Sequence, residues 1–343
     1  MSKGWEPLSL FMFQRLRRLA KGAVTRVPDF ALGLDIGGTK SAAVLSTEYG
    51  EVIDRIESPT ETAHAPSAVI DRLCRGAEEL LIRNAVSKDR VLGVGVAAGG
   101  PMDAEAGIVC SPPNLPGWDN VPVVKMVSER LGLLTAMEND ADAAALAEYR
   151  FGAGERRYDV VSFTWGTGVG AGIVIGGRLH RGVNGAAGEI GHITYIKDGV
   201  RCACGKLGCI EAYASGSSIE RAARARISLG EQTMLSKMAS ADAKSVCEAA
   251  RKGDKAALDI LRCAAEAMGR AVAIAAHTLN PDVITLGTLA VAASDLMMPV
   301  VMDVVEKEVW SRIREGLRVM PSPLGSHVQD LAAVSVILEY IGR

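Results

Sequence analysis

Short apolar runs alternate along this chain with stretches in which apolar positions recur at helical spacing. The first run, Ala31-Leu32-Gly33-Leu34, is broken at Gly37-Gly38 and resumes at Ala42-Ala43-Val44-Leu45. Apolar runs on both sides of a Gly-Gly pair predict two antiparallel strands joined by a tight turn. A helical pattern over 65–85 follows, then a buried strand over 90–98 that contains Val91-Leu92-Gly93-Val94-Gly95-Val96. A helix over 123–131, a short strand over 134–138 and an Ala-rich helix over 141–149 come next. The opening device then recurs: a run ending in Phe163-Thr164-Trp165, a turn Gly166-Thr167-Gly168, and a returning run to Ile175. One such hairpin near the start of each half predicts a duplicated architecture. The remainder reads as helical over 216–269, with an apolar, buried helix over 264–279 broken by Asn280-Pro281-Asp282. A strand over 283–289 ends at a glycine loop. Pro299 opens a helix over 300–316, at a position where its missing N–H costs nothing. A last helix covers 328–341.

Composition narrows the class. The 343 residues are 48 % hydrophobic and 23 % charged, enough for a globular core and for two lobes rather than one. The net charge of −2 excludes the broad basic surface that binds nucleic acid. The 7 cysteines are odd in number and unevenly spread, so they form no disulfide framework and fit a reducing, cytoplasmic setting. No apolar run reaches the ~18–20 residues of a membrane span. Residues 1–28 mix Phe11, Phe13, Leu16 and Leu19 with Arg15, Arg17, Arg18, Lys21 and Arg26, which predicts a short basic helix added to the body.

Several stretches carry candidate chemistry. His192, Cys202, Cys204 and Cys209 lie close enough in sequence to converge on one ion, and three thiolates with one imidazole suit the closed tetrahedral coordination of structural Zn²⁺. Gly205 and Gly208 allow the sharp turn between the second and third thiolates. Glu189 and Glu211 bracket the cluster, and with His192 they would form a rigid polar wall suited to a ligand rich in hydroxyls. In the first glycine turn, the N–H groups of Gly37 and Gly38 can nest phosphate oxygens. Asp35 can hold Mg²⁺ there, Thr39 offers a hydroxyl and Lys40 a cation; a purely structural turn would read the same way. The second turn, Gly166-Thr167-Gly168, would grip the same polyphosphate from the other side. Asn139 and Asp140 stand at a strand–helix junction, where they can hold a hydroxyl and take its proton, or where Asp140 can merely cap the helix. Gly100, in the loop after the 90–98 strand, allows close approach of a ligand. Asn114, Trp118 and Asp119 lie in a proline-stiffened loop that is either a binding element or plain surface. Gly287 ends the 283–289 strand, where ligands gather in α/β sheets.

Five of these stretches occur in an order that resembles one family. They are Asp35-Ile36-Gly37-Gly38-Thr39-Lys40, Asn139-Asp140-Ala141, Gly166-Thr167-Gly168-Val169-Gly170, Glu189-Ile190-Gly191-His192, and the cysteine cluster from Cys202 to Glu211. Together, and from about Phe30 onward, the chain resembles the ROK family of sugar kinases and repressors. The resemblance implies an α/β, two-lobed actin-like ATPase fold of the duplicated ribonuclease H-like kind. It implies an N-terminal lobe over 29–138, a C-terminal lobe over 139–326 with the zinc site, and a helix over 327–343 packing back on the first lobe.

The same resemblance implies transfer of the γ-phosphoryl group of ATP, with Mg²⁺, to a hexose. Glucose at its 6-position is expected, with N-acetylmannosamine or N-acetylglucosamine as alternatives. Asp140 would be the general base. Asn139, Asp140, Glu189, His192 and Glu211 would contact the sugar, and His192, Cys202, Cys204 and Cys209 would bind structural zinc. A homodimer or homotetramer is implied; the charge and the lack of a long apolar run argue separately against DNA and membrane partners. Pro113-Asn114-Leu115-Pro116-Gly117-Trp118 leans toward glucokinases. Gly287-Thr288, where Gly-Gly is usual, and Ala97-Ala98-Gly99-Gly100-Pro101 depart from the family pattern. Two readings from other classes compete: a sugar-sensing transcriptional regulator and a sugar-binding protein without turnover. The presence of Asp140 disfavours the regulator.

Overall fold

The computed structural model describes residues 29–61 and 65–342; the basic helix expected within 1–28 lies outside them. The first hairpin forms as the apolar runs require. β1 (Phe30–Ile36) pairs antiparallel with β2 (Lys40–Thr47), and β3 (Val52–Pro59) adds to the edge. β3 was not anticipated. Its alternation of Ile53, Arg55 and Glu57 with Asp54 and Ile56 leaves it half-buried at an edge, without the continuous apolar run of a central strand. Helix α1 (Pro66–Arg83) leads to β4 (Val91–Ala98), which lies parallel to β1 on its other side. Helix α2 (Val123–Leu131) leads to β5 (Thr135–Asn139), parallel to β4. The registers bring Asp35 beside Ala97, and Ala98 beside Asn139, so three loops leave one edge of the sheet together.

Helix α3 (Asp140–Phe151) carries the chain to a second sheet. There β6 (Val160–Trp165) and β7 (Val169–Ile175) form the second glycine hairpin, and β8 (Arg178–Leu179) extends it. The helical region splits into α4 (Gly216–Ser228), α5 (Ala243–Arg251) and α6 (Lys255–Leu279), a single long helix where sequence periodicity suggested a shorter one. Asp254 starts α6: its Oδ1 accepts from Ala257 N–H at 2.9 Å and its Oδ2 from Thr233 Oγ1 at 2.9 Å. β9 (Val283–Leu286) lies parallel to β6, and β10 (Arg318–Pro321), also unanticipated, lies parallel to β9. Between them α7 (Ser294–Glu308) encloses Pro299, which therefore does not start its helix. The helix ends at Glu308, and a separate short helix over Ser311–Arg314 lies in the rest of the predicted span.

The strand orders are β3-β2-β1-β4-β5 and β8-β7-β6-β9-β10, the same order twice. That repeat is the duplication the two glycine hairpins predicted. Each sheet has its own apolar core. The last helix, α8 (Val328–Tyr340), leaves the second sheet and lies on the first, packed through Ala332, Ala333, Val336 and Ile337. Gly95 makes this contact possible, because a Cβ there would lie 1.9 Å from the Ala333 carbonyl oxygen. Trp118, a candidate for binding, is fully buried in the first core, and Asp119 accepts from Ser111 Oγ at 2.5 Å. An indole this large is worth more as packing than at a rim.

Candidate active site

The first glycine turn is built by exclusion of side chains. A Cβ on Gly38 would lie 2.8 Å from the Asn114 carbonyl oxygen, so the turn and the 111–120 loop touch through backbone. Thr60 fixes the turn by donating from Oγ1 to the Gly37 carbonyl at 2.6 Å. Asn114 Nδ2 stands 3.1 Å from where a Gly99 Cβ would be, and Asn139 Nδ2 lies equally close to that of Gly100. The predicted residues Gly37, Gly38, Asn114, Gly100 and Asn139 therefore share one sheet edge with Asp35. Thr39 is exposed beside them. Lys40 is turned aside: its Nζ pairs with Glu57 Oε1 at 2.6 Å, on the neighbouring strand.

At the junction of β5 and α3, Asn139 takes the capping position and its Oδ1 accepts from Ala141 N–H at 2.9 Å. Asp140 is the first residue of the helix, and its Oδ1 accepts from the same N–H at 2.8 Å. With capping assigned to Asn139, the second oxygen of Asp140 has no such duty. Asp140 is reachable by solvent yet surrounded by protein. That crowding, with a smaller contribution from the charge of Glu189, raises its carboxyl pKa, while the Ala141 N–H opposes the rise. Asp35 is pushed up to about 7, first by burial and then by the charges of Asp140 and Asp330. The charge of Asp140 thus adds to the cost of ionising Asp35.

Across from them, Glu189 begins a short helical turn that ends at His192, and its Oε2 lies 3.7 Å from His192 Nε2. The other ring nitrogen, Nδ1, lies 3.7 Å from Cys202 Sγ. Cys204 and Cys209 place their sulfurs 3.7 Å apart. The donor atoms of His192, Cys202, Cys204 and Cys209 all fall within 4.8 Å of one another. A tetrahedral site with bonds of about 2.3 Å to sulfur has edges of about 3.8 Å, so these spacings fit one ion. Gly205 and Gly208 adopt φ of 91° and 76°, as the turn between the thiols demands.

Glu211, expected at the sugar, also ties two parts of this region together. Its Oε2 accepts from Val169 N–H at 2.9 Å, and its Oε1 lies 3.6 Å from Cys202 Sγ, so it ties the second glycine hairpin to the cysteine cluster. In that hairpin, the Gly166 carbonyl accepts from Gly216 N–H at 2.7 Å and the Thr167 carbonyl from Ser217 Oγ at 2.9 Å. Gly287 N–H donates to the Phe163 carbonyl, and Thr288 stands 3.5 Å from where a Gly166 Cβ would be. Gly166, Thr167, Gly168 and Gly287 thus share one end of the second sheet.

Sequence reasoning passed over three charged groups here. Glu138 is 5 % exposed at the end of β5, and Arg181 Nε donates to its Oε1 at 2.9 Å. Asp142 is 6 % exposed in an otherwise Ala-rich turn, and its Oδ1 has no hydrogen-bond partner. Burial raises the pKa of both carboxyls, that of Asp142 to about 7. The signal was present as two acids, four positions apart, inside apolar surroundings.

Comparison with known proteins shows what the whole chain is similar to. A glucokinase of Thermotoga maritima is 34 % identical over 91 % of this chain and 98 % of its own length. An N-acetylmannosamine kinase of Escherichia coli is 35 % identical over 75 % of this chain and 81 % of its own. Among solved structures, a ROK family glucokinase from Streptomyces griseus in complex with glucose and AMPPNP superposes with a TM-score of 0.76 at 32 % identity, covering 89 % of this chain and 98 % of that one. A ROK family transcriptional regulator superposes with a TM-score of 0.80 at 28 % identity, covering 90 % and 78 %. The ROK family model itself matches residues 31–335. The chain therefore belongs to the ROK family and has its two-lobed, actin-like ATPase fold.

Proposed function

We propose that this protein transfers the γ-phosphoryl group of ATP to the 6-hydroxyl of a hexose, with glucose as the substrate. The observation that carries the reading is Asp140. It is an accessible carboxylate at the strand–helix junction, with one oxygen on the Ala141 N–H that Asn139 also caps and the other left over, a raised pKa and Glu189 close by. The sugar rests against Asn139, Glu189 and His192, with Gly100 and Asn114 closing the side toward the first glycine turn. Asp140 accepts the hydroxyl proton as the oxygen attacks phosphorus in line. Positioning and charge neutralisation supply most of the acceleration. The phosphates lie between the turn of Gly37, Gly38 and Thr39 and the turn of Gly166, Thr167 and Gly168, with Gly287 toward the nucleoside. Asp35 would hold Mg²⁺, which supplies charge neutralisation at the phosphates. His192, Cys202, Cys204 and Cys209 would hold zinc as a structural clip. Likeness to the glucokinases of Thermotoga maritima and Streptomyces griseus supports glucose. The Escherichia coli relative supports N-acetylmannosamine as the second substrate to test.

The test is sugar-dependent ADP release from ATP–Mg²⁺ across glucose, mannose, fructose, N-acetylglucosamine and N-acetylmannosamine. Glucose is expected to give the highest kcat/KM. Asp140→Asn is expected to lose about 10²–10⁴-fold in turnover while still binding sugar. Near-full activity in that variant would remove Asp140 from the base role, and the failure of every sugar to prompt ADP release would overturn the kinase reading.

A further inference from the structure

Arg181 follows β8 and begins the loop that leads to Gly188, Glu189 and His192. This loop is held at both ends. Ala187 N–H donates back to the Arg181 carbonyl at 3.0 Å. Gly188 lies so close to β7 that a Cβ on it would stand 1.8 Å from the Ala171 carbonyl oxygen. At the other end, the Arg181 side chain reaches Glu138, and the contact is asymmetric. The Glu138 side chain is 6 % exposed and that of Arg181 45 %, so a buried carboxylate is served from the rim. Glu138 immediately precedes Asn139 and Asp140.

Asp142 lies near both groups, and its unpartnered Oδ1 is buried. A guanidinium has five N–H donors in a fixed fork, of which Glu138 takes one. The charges of Glu138, Asp140, Glu189 and Arg181 all reach Asp142. Arg181 is thus the cation set against two buried carboxylates, which ionise only at a desolvation cost without it. One end of this arrangement belongs to the sheet that ends in Asp140, and the other to the loop that presents Glu189 and His192.

We propose that Arg181 is a positioning residue for sugar phosphorylation. Through Glu138 it latches the loop bearing Glu189 and His192 to the strand end bearing Asp140, so that the groups on the two sides of the sugar keep one spacing. The inference rests on the sugar-kinase reading. It separates from a merely structural ion pair because it acts on the sugar and on transfer, and not on the nucleotide, whose turns lie elsewhere.

The experiment uses the full chain with Arg181→Gln, Arg181→Lys, Glu138→Gln and the double variant Glu138→Gln/Arg181→Gln. It combines steady-state kinetics varied in sugar and in ATP, calorimetric sugar binding and thermal unfolding. Arg181→Gln is expected to lower kcat/KM for sugar by about 10–100-fold, with KM for ATP within about two-fold of wild type. Arg181→Lys recovers part of the loss. The double variant is no worse than Arg181→Gln alone, because both changes remove one contact. Arg181 is partly exposed, so Arg181→Gln folds even if Glu138→Gln does not, and its sugar affinity then decides the matter.

A folded Arg181→Gln with wild-type sugar affinity and kinetics overturns the latch. So does an equal loss toward sugar and ATP, or strict additivity in the double variant. A wild type that binds sugar without turning it over overturns the kinase reading alone, since the calorimetric arm still reads the latch. A wild type that does neither overturns both.

Discussion

Asp35 shows how a single carboxylate can be held at a cost to the fold. Its pKa is raised from 3.8 to about 7, mainly by burial and then by Asp140 and Asp330. Between those two values the folded protein keeps a proton that the unfolded chain has released. Stability therefore falls as pH rises through that window and is level above it. Asp35→Asn removes the penalty. In ligand-free protein at pH about 8, it is expected to raise Tm by at least ~2 °C while abolishing turnover, the exchange of stability for activity that active sites commonly show. A lower Tm than wild type under those conditions would mean that the Asp35 carboxylate is stabilised where it stands. The residue types at this site were legible because chemistry sits in short runs: the aspartate before Gly37-Gly38, the Asn139-Asp140 pair, the His and Cys spacing. What stayed hidden were partnerships across the fold. Nothing near Lys40 in sequence announces Glu57, and nothing near Glu138 announces Arg181.

At the scale of elements, periodicity identified those with one clear apolar face and failed where burial is partial or continuous. α1 and α2 were placed within a residue or two, as were both glycine hairpins. β3 escaped because an edge strand needs only one half-buried face, and β10 because four residues are too few to show a period. α6 was shortened because its start depends on Asp254, whose capping bonds reach back to Thr233 as well as forward. Trp118 was misplaced because a loop sequence does not reveal that its indole turns inward. Close approach between elements was not read from the sequence. The glycines of β4 mark where something large must come near, and the structure identifies it as α8. Gly95→Ala is expected to cost at least ~2 kcal/mol by denaturant unfolding, because its Cβ would meet the Ala333 carbonyl, backbone that has no rotamer to yield. A midpoint unchanged from wild type would mean that α8 shifts freely on the sheet.

For the molecule as a whole, a metal held by the cysteine cluster, as proposed above, would couple stability to the ligand. His192 turns Nδ1 toward the cluster and Nε2 toward Glu189, so a metal held on one side fixes the ring that faces the other. Chelation is expected to lower Tm by at least ~5 °C and to weaken sugar binding in the protein that remains folded. Metal-depleted, folded protein with unchanged sugar affinity would separate the two. The duplication was legible from two hairpins alone, since each half begins with the same device. The matching strand orders were not, because β3, β8 and β10 are too short or too polar to be read ahead.

The path of the chain between the two sheets has a mechanical consequence. It leaves the first sheet through α3 and returns from the second through 322–327 into α8, and the crossings are tied where Ser322 Oγ donates to Glu148 Oε1. Any swing of one half against the other must turn about these two crossings, and the groups nearest an axle travel least. Asp140 is the first residue of the first crossing. If the halves part to admit a sugar and release its phosphate, as the proposed reaction would require, Asp140 would stay where it was, and each new turnover would start from a base already in place.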